Sequence, residues 1–561
     1  MSQDLIRKFQ KDLMAGKPQS AFKKARVAAK KSPETALYQN LAGAALAESG
    51  DHGAAIPWFQ RALKLSPGHP EYQANLALAL IMSKQRDRAS LLIDRLLEMR
   101  PEDPQALHLR VINRYLSTDW RGAIEAADAV LARDPRHVDA LNFRGQAKSE
   151  LGQPEAALED FHAILRIRPN DTLAMQNAAE RLNELGQREE ARAMYGRILA
   201  ADPENAEALQ QIVTLAPMDR LPEIAKLVNA ALSRQGKSDD DRAALHMAAA
   251  RIAERQGDTA LAMEQFSRAH EIDASRAPAT DKAACTEFQK ATRIFLQSVT
   301  PSHPLPDSPR PIFVVGLPRS GTTLVEMILT AAEGVASCGE LDAGARVAHD
   351  FLEKGESLTP ERLDRVAQDY MARVPDLPEG TRAFVDKLPA NYRRIGLLLA
   401  AFPTARVVNI ERDPRDVALS IWKQRFRGQG MRFANRLSSI AHEENLYRAY
   451  MYYWRQAYAD RILTVRYEDL VQDIQAESRR LAEHCGLDWD PAMMHPEDNR
   501  ARVRTASLHQ VRNKVHAASI GGWQVFGDRI RELTDRLEPE LWPELKAELW
   551  PDRDSDQRQG S

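Results

Sequence analysis

The residues best placed to do chemistry lie where an apolar run, Ile312-Phe-Val-Val315, opens into Gly316-Leu-Pro-Arg-Ser-Gly-Thr-Thr323. Leu324, Ile328 and Leu329 then resume at helical spacing. An unbroken β-branched and aromatic run suits a strand buried on both faces, so the stretch predicts strand, loop and helix. At such a loop the unpaired N–H groups of the first helical turn and the positive end of the helix dipole converge on one point, where an anion can be held. The spacing Gly316-x4-Gly321-Thr322-Thr323 copies a Walker A loop, except that Thr322 stands where a lysine would reach the outer phosphates of a nucleoside triphosphate. The loop instead offers the Arg319 guanidinium and the hydroxyls of Ser320, Thr322 and Thr323. That set suits a highly charged nucleotide bound without a metal, and no metal site is expected.

Three further groups lie downstream. Glu340 follows a turn at Gly339 and precedes a helical pattern; a carboxylate there can take the proton from an attacking hydroxyl, or merely stabilise the helix dipole. Lys387 follows the strand-like Arg382-Ala-Phe-Val-Asp386, so its ammonium can meet negative charge growing on a departing oxygen at the ligand side of a parallel sheet. Arg412 ends another strand-like run, Ala405 to Glu411, and Ser420 lies eight residues on, little more than two helical turns, so both can face one bound group. Arg500, Arg502, Arg504, Arg512 and Lys514 form a basic stretch without an acid, which marks an anion site.

Taken in order, these segments resemble sulfotransferases that use 3′-phosphoadenosine 5′-phosphosulfate (PAPS), and Pro318-Arg-Ser-Gly-Thr-Thr323 and Cys338-Gly-Glu340 are similar to the tyrosylprotein sulfotransferases. The resemblance covers about residues 311 to 526. It implies PAPS as co-substrate and direct sulfuryl transfer to a hydroxyl, of a protein tyrosine or a saccharide. Glu340 would be the base, with Lys387 and Ser507 stabilising the leaving side. Arg319, Ser320, Gly321, Thr322 and Thr323 would hold the 5′-phosphosulfate. Arg412 and Ser420 would hold the 3′-phosphate, while Tyr467, Gln510 and Arg512 would lie near the nucleotide. The sequence departs from the family at Gln424, Asn513 and Gly522. A small-molecule P-loop kinase and a non-catalytic adaptor that senses a nucleotide are the rival readings.

The elements that must position these residues occupy only part of the chain. At 561 residues it exceeds one ordinary core. Prolines at 33, 67, 101, 135, 169 and 203 and alanines at 21, 55, 89, 123, 157, 191 and 225 repeat every 34 residues. Two registered series predict tetratricopeptide helix pairs, about eight of them, with Gly16, Gly50, Gly152 and Gly186 at the turn inside a pair. A further helix is expected from about Thr280 to Val299, followed by the proline-rich Pro301 to Pro311.

The expected architecture is an α-solenoid of helix pairs followed by an α/β P-loop domain with a central parallel sheet. Its expected divisions are residues 1–274 for the array, 275–310 for connecting helix and linker, 311–550 for the catalytic domain and 551–561 for a polar tail. Lys+Arg 77 against Asp+Glu 79 argues against a nucleic-acid partner. No apolar run approaches a membrane span, and the three cysteines are far apart, which together predict a cytoplasmic protein. The array is expected to dock an acceptor protein or glycan, with scaffolding or homodimer formation as the alternative.

Overall fold

The computed structural model describes residues 2–274, 281–296, 299–303, 305, 309–354, 357–426, 429–499 and 517–550. From Ser2 to Ala274 the chain forms sixteen α-helices, eight antiparallel pairs in sequence order. Their registered alanines are functional in packing: Ala21, Ala55, Ala89, Ala123, Ala157 and Ala191 are all fully buried. Gly43 and Gly145, three repeats apart, let the facing helix approach; a Cβ on Gly43 would lie 2.7 Å from the Phe59 ring. The turn inside each of the first six pairs needs a left-handed residue. Glycine supplies it at 16, 50, 152 and 186, but Lys84 (φ 62°) and Thr118 (φ 60°) occupy the same position in the third and fourth pairs. Side chains there carry a steric cost that glycine avoids.

The chain divides into two compact units, Met1–Ile198 and Leu199–Ser561. This division falls well before the boundary expected near residue 274. The last helix pair shares a core with the sheet: Met247 and Ala250 (helix Asp239–Arg255) and Phe266 and Ala269 (helix Thr259–Ala274) are buried in one cluster with Phe313, Val315 and Trp422. The helix Asp281–Phe295 belongs to that core as well, through Ala291, Ile294 and Phe295. Its Phe288 ring meets Tyr450 edge-on at 4.8 Å.

Among the described residues five parallel strands follow: β1 (Arg310–Gly316), β2 (Val335–Ser337), β3 (Ala383–Asp386), β4 (Arg406–Glu411) and β5 (Ile462–Arg466), in the order β2-β3-β1-β4-β5. In register, Phe313 pairs with Asp386 of β3 and Gly316 with Ile410 of β4. Side chains alternate between faces. Phe313, Val315, Phe384 and Val407 join the core just described. Ile312, Val314, Val385, Val408 and Val465 pack against the helices Thr322–Leu329 and Ile474–Cys485 on the other face. From Arg531 onward the chain is a set of short turns, with four-residue helices at Arg531–Thr534 and Lys546–Leu549. Pro539 and Pro543 withdraw two N–H donors from any continuous helix there. Among the described residues, no helix is long and apolar enough to cross a membrane.

Candidate functional site

Every loop that the sequence singled out leaves the carboxyl end of a strand, where open parallel sheets bind ligands. The loop after β1 turns through Arg319, whose φ of 72° is in the left-handed region, and Gly321 at φ 114°. Gly321 is required for a second reason: a Cβ there would fall 2.6 Å from Cδ2 of Tyr467. Ser320 donates its hydroxyl hydrogen to the Leu317 carbonyl at 2.7 Å and so shapes the loop. Thr322 and Thr323 begin the loop helix Thr322–Leu329 and are buried.

Two clusters of charge flank this loop. On the β4–β5 side, Arg319 Nε donates to Ser420 Oγ at 3.0 Å, and Arg412 donates to the Arg319 carbonyl at 3.3 Å. Arg412 also donates to the Ser519 carbonyl and lies 4.4 Å over the Tyr467 ring, whose hydroxyl is 2.9 Å from Ser519 Oγ. Asp416, on the helix Pro414–Trp422 with Ser420, accepts from the N–H groups of Gly521 (2.8 Å) and Trp523 (3.0 Å) and so docks the segment that carries Ser519. Burial and the neighbouring guanidiniums of Arg412 and Arg251 lower the Arg319 pKa to about 10. Buried Arg412 Nε has no hydrogen-bond partner among the described residues. Crowded guanidiniums with an unused donor fit an anionic group of more than one charge.

On the β2–β3 side, Lys387 is 1 % exposed and donates to Glu340 Oε1 at 2.6 Å. The loops bearing them are laced together by backbone: Cys338 N–H donates to the Val385 carbonyl and Lys387 N–H to the Gly339 carbonyl, each at 2.9 Å. Beneath them Asp386, fully buried, accepts from Tyr370 Oη (2.6 Å) and Asn391 Nδ2 (3.0 Å). Burial pushes its carboxyl up to about 7. Asp342 takes no part; its side chain is exposed and paired with Arg346 at 2.6 Å.

Glu340 and Lys387 are therefore in contact, and Arg319, Arg412, Ser420 and Tyr467 form one group. Ser507, Gln510 and Arg512 lie outside the described residues. Sequence reasoning missed Glu326 and Asp416. Glu326 had a readable signal, a lone carboxylate in the otherwise apolar run Leu324 to Leu329.

Residues 311–491 match the sulfotransferase family. Tetratricopeptide repeats match at 13–70, 46–111, 114–172 and 149–215. Among individual proteins, an uncharacterized protein of Aquifex aeolicus (strain VF5) is 33 % identical over 247 residues, 41 % of this chain and 32 % of that one. The protein-tyrosine sulfotransferase of Drosophila melanogaster is 25 % identical over 255 residues, 40 % of this chain and 49 % of its own. Protein-tyrosine sulfotransferase 1 of Danio rerio is 25 % identical over 223 residues, covering 36 % and 59 %. The chain thus spans between 32 % and 59 % of the length of these three relatives.

Proposed function

We propose that this protein transfers a sulfuryl group from PAPS to an acceptor hydroxyl. One observation carries the reading: the Glu340–Lys387 contact and the Arg319–Ser420–Arg412 cluster flank the same loop of a sulfotransferase-family domain. PAPS supplies an activated sulfur bonded to a phosphate oxygen that leaves. Arg412, with its unused Nε, and Ser420 would bind the 3′-phosphate, while Arg319 and the N–H groups at Thr322 and Thr323 would align the 5′-phosphosulfate. As the acceptor oxygen bonds to sulfur and the sulfur–phosphate oxygen bond breaks, Glu340 accepts the acceptor's proton. The released electron pair stays on the phosphate oxygen, where the Lys387 ammonium offsets its charge. Lys387 donates to Glu340 Oε1 at 2.6 Å, which lowers the basicity of that oxygen; a lysine turned toward the donor restores it.

The relatives named as protein-tyrosine sulfotransferases favour a peptide tyrosine as acceptor, and the repeat array offers a surface for such a protein. The test is thermal stabilisation and labelled transfer. PAPS or its product 3′-phosphoadenosine 5′-phosphate should raise the melting temperature without magnesium, far more than ATP or adenosine 5′-phosphosulfate does. Arg412→Ala should remove that preference. Label from PAPS should then appear on tyrosine in protein; label confined to saccharide would reassign the acceptor, and equal stabilisation by ATP with magnesium would overturn the donor.

A further inference from the structure

The loop helix Thr322–Leu329 is buried along its whole length, yet its fifth residue is Glu326, 1 % exposed between Val325 and Met327. A residue serving packing alone would be apolar there, because a carboxylate taken out of water is strongly disfavoured unless it is paired. Glu326 is half paired. Its Oε1 accepts from Ser337 Oγ at 2.7 Å, at the end of β2. Its Oε2 has no hydrogen-bond partner among the described residues and lies 3.9 Å from Lys387 Nζ. Burial raises the carboxyl's pKa and the lysine opposes that shift. Lys387 thus sits between two carboxylates of different character: Glu340, whose side chain is 41 % exposed, and Glu326, which is enclosed.

We propose that Glu326 is a positioning residue that keeps the Lys387 ammonium in place when it turns from Glu340 toward the donor. Resting on the sulfuryl-transfer reading for its catalytic consequence, the inference answers a problem that reading creates. A base hydrogen-bonded to an ammonium is a weaker base at that oxygen, and a buried lysine that swung from Glu340 toward the donor would lose the contact that fixes its position. The second carboxylate removes the conflict. Lys387 can exchange one partner for the departing phosphate oxygen while remaining next to the other, and Ser337 holds that other in a fixed orientation.

The test has two arms on the full chain. In PAPS turnover, Glu326→Gln should lower kcat by roughly 10- to 100-fold while leaving KM for PAPS and product affinity within about twofold, the pattern of an interaction expressed in the transition state. Glu326→Asp should recover part of the loss. Added to Lys387→Met, Glu326→Gln should cost nothing more, since it acts only through the lysine. The second arm needs neither donor nor acceptor: reductive dimethylation of Lys387, read by peptide mass spectrometry, should be several-fold faster in Glu326→Gln, because an enclosed amine no longer held by the second carboxylate reaches the reagent more often. Additive losses in the Lys387→Met background, or loss of product binding, would make Glu326 a folding residue and overturn the proposal, as would an unchanged labelling rate. If the wild-type protein moves no label from PAPS, the sulfuryl-transfer reading falls and the labelling arm alone decides whether Glu326 holds Lys387. Should Glu326→Gln not fold, Glu326→Asp carries both arms with the same direction and a smaller size.

Discussion

Removing residues 1–299, a cut that the proline-rich stretch invites, is expected to destroy the catalytic fold. That cut takes away the ring of Phe266, 5.5 Å from Trp422, and that of Phe288 against Tyr450, together with Phe295. Trp422 and Tyr450, 3 % and 0 % exposed in the intact chain, would open to water at about 1.5–3 kcal/mol each if fully uncovered. It also strips Arg425 of both partners, Asp273 (2.8 Å) and Asp240 (2.7 Å). With that segment gone the guanidinium meets water, so the lost pairs add no more than about 1 kcal/mol. The sum, roughly 3–7 kcal/mol, is a large share of the whole stability of a domain, about 5–15 kcal/mol. A fragment of residues 199–561 keeps all these contacts and should unfold cooperatively. Guanidinium unfolding followed by circular dichroism, with calorimetric titration of 3′-phosphoadenosine 5′-phosphate, compares the full chain and both fragments. If residues 300–561 unfold cooperatively and bind that product as the full chain does, the shared core contributes nothing essential and the reasoning fails.

Glu340→Gln should lower transfer by about 10²–10⁴-fold with product binding intact, whereas Asp342→Asn, paired with Arg346 outside the site, should change it little; single-turnover rates separate the two. Asp386 has a folded-state value of about 7 against 3.8 for an ordinary aspartate, so the folded chain keeps a proton that the unfolded chain loses between those values. Stability should therefore fall as pH rises from about 4 to about 7, by a few kcal/mol, and Asp386→Asn should flatten that fall in denaturant titrations across the same range. Thr118→Gly should stabilise the first unit by about 0.5–1 kcal/mol, the left-handed penalty of a β-branched residue less the added freedom of glycine when unfolded, read as a shift in urea midpoint.

Much of this arrangement was legible because each local signal was strong. The run Ile312 to Val315 followed by Gly316 and Gly321 announced strand, loop and helix, and the 34-residue series marked the helix pairs as far as Ala225, for a count of about eight. What escaped had physical reasons. β2 is three residues of Val-Ala-Ser, too short for alternation to register, so the strand that aims Glu340 at Lys387 was invisible. The two residues are 47 apart, and their contact depends on β2 pairing with β3, which no spacing encodes. Lys84 and Thr118 hid two repeat turns because the backbone accepts the strain that glycine would have announced. Periodicity reports which helices pair along an array, but not which outer face meets another element, and so nothing in the repeat marked Phe266, whose ring lies against Trp422.

The strand order β2-β3-β1-β4-β5 has a consequence for how new specificities arise. Glu340 and Lys387 follow β2 and β3; Arg412 and Tyr467 lie at the ends of β4 and β5; the Arg319 loop is central. On the proposed reading, bond-making occupies one edge of the sheet and donor recognition the other, with the loop as hinge between vocabularies. Insertions or exchanges after β2 and β3 could recast the acceptor pocket while leaving Arg412, Ser420 and Tyr467 undisturbed. A lineage could then change what it modifies without relearning what it uses to modify it, and a protein engineer could graft acceptor loops onto that edge and keep the donor half intact.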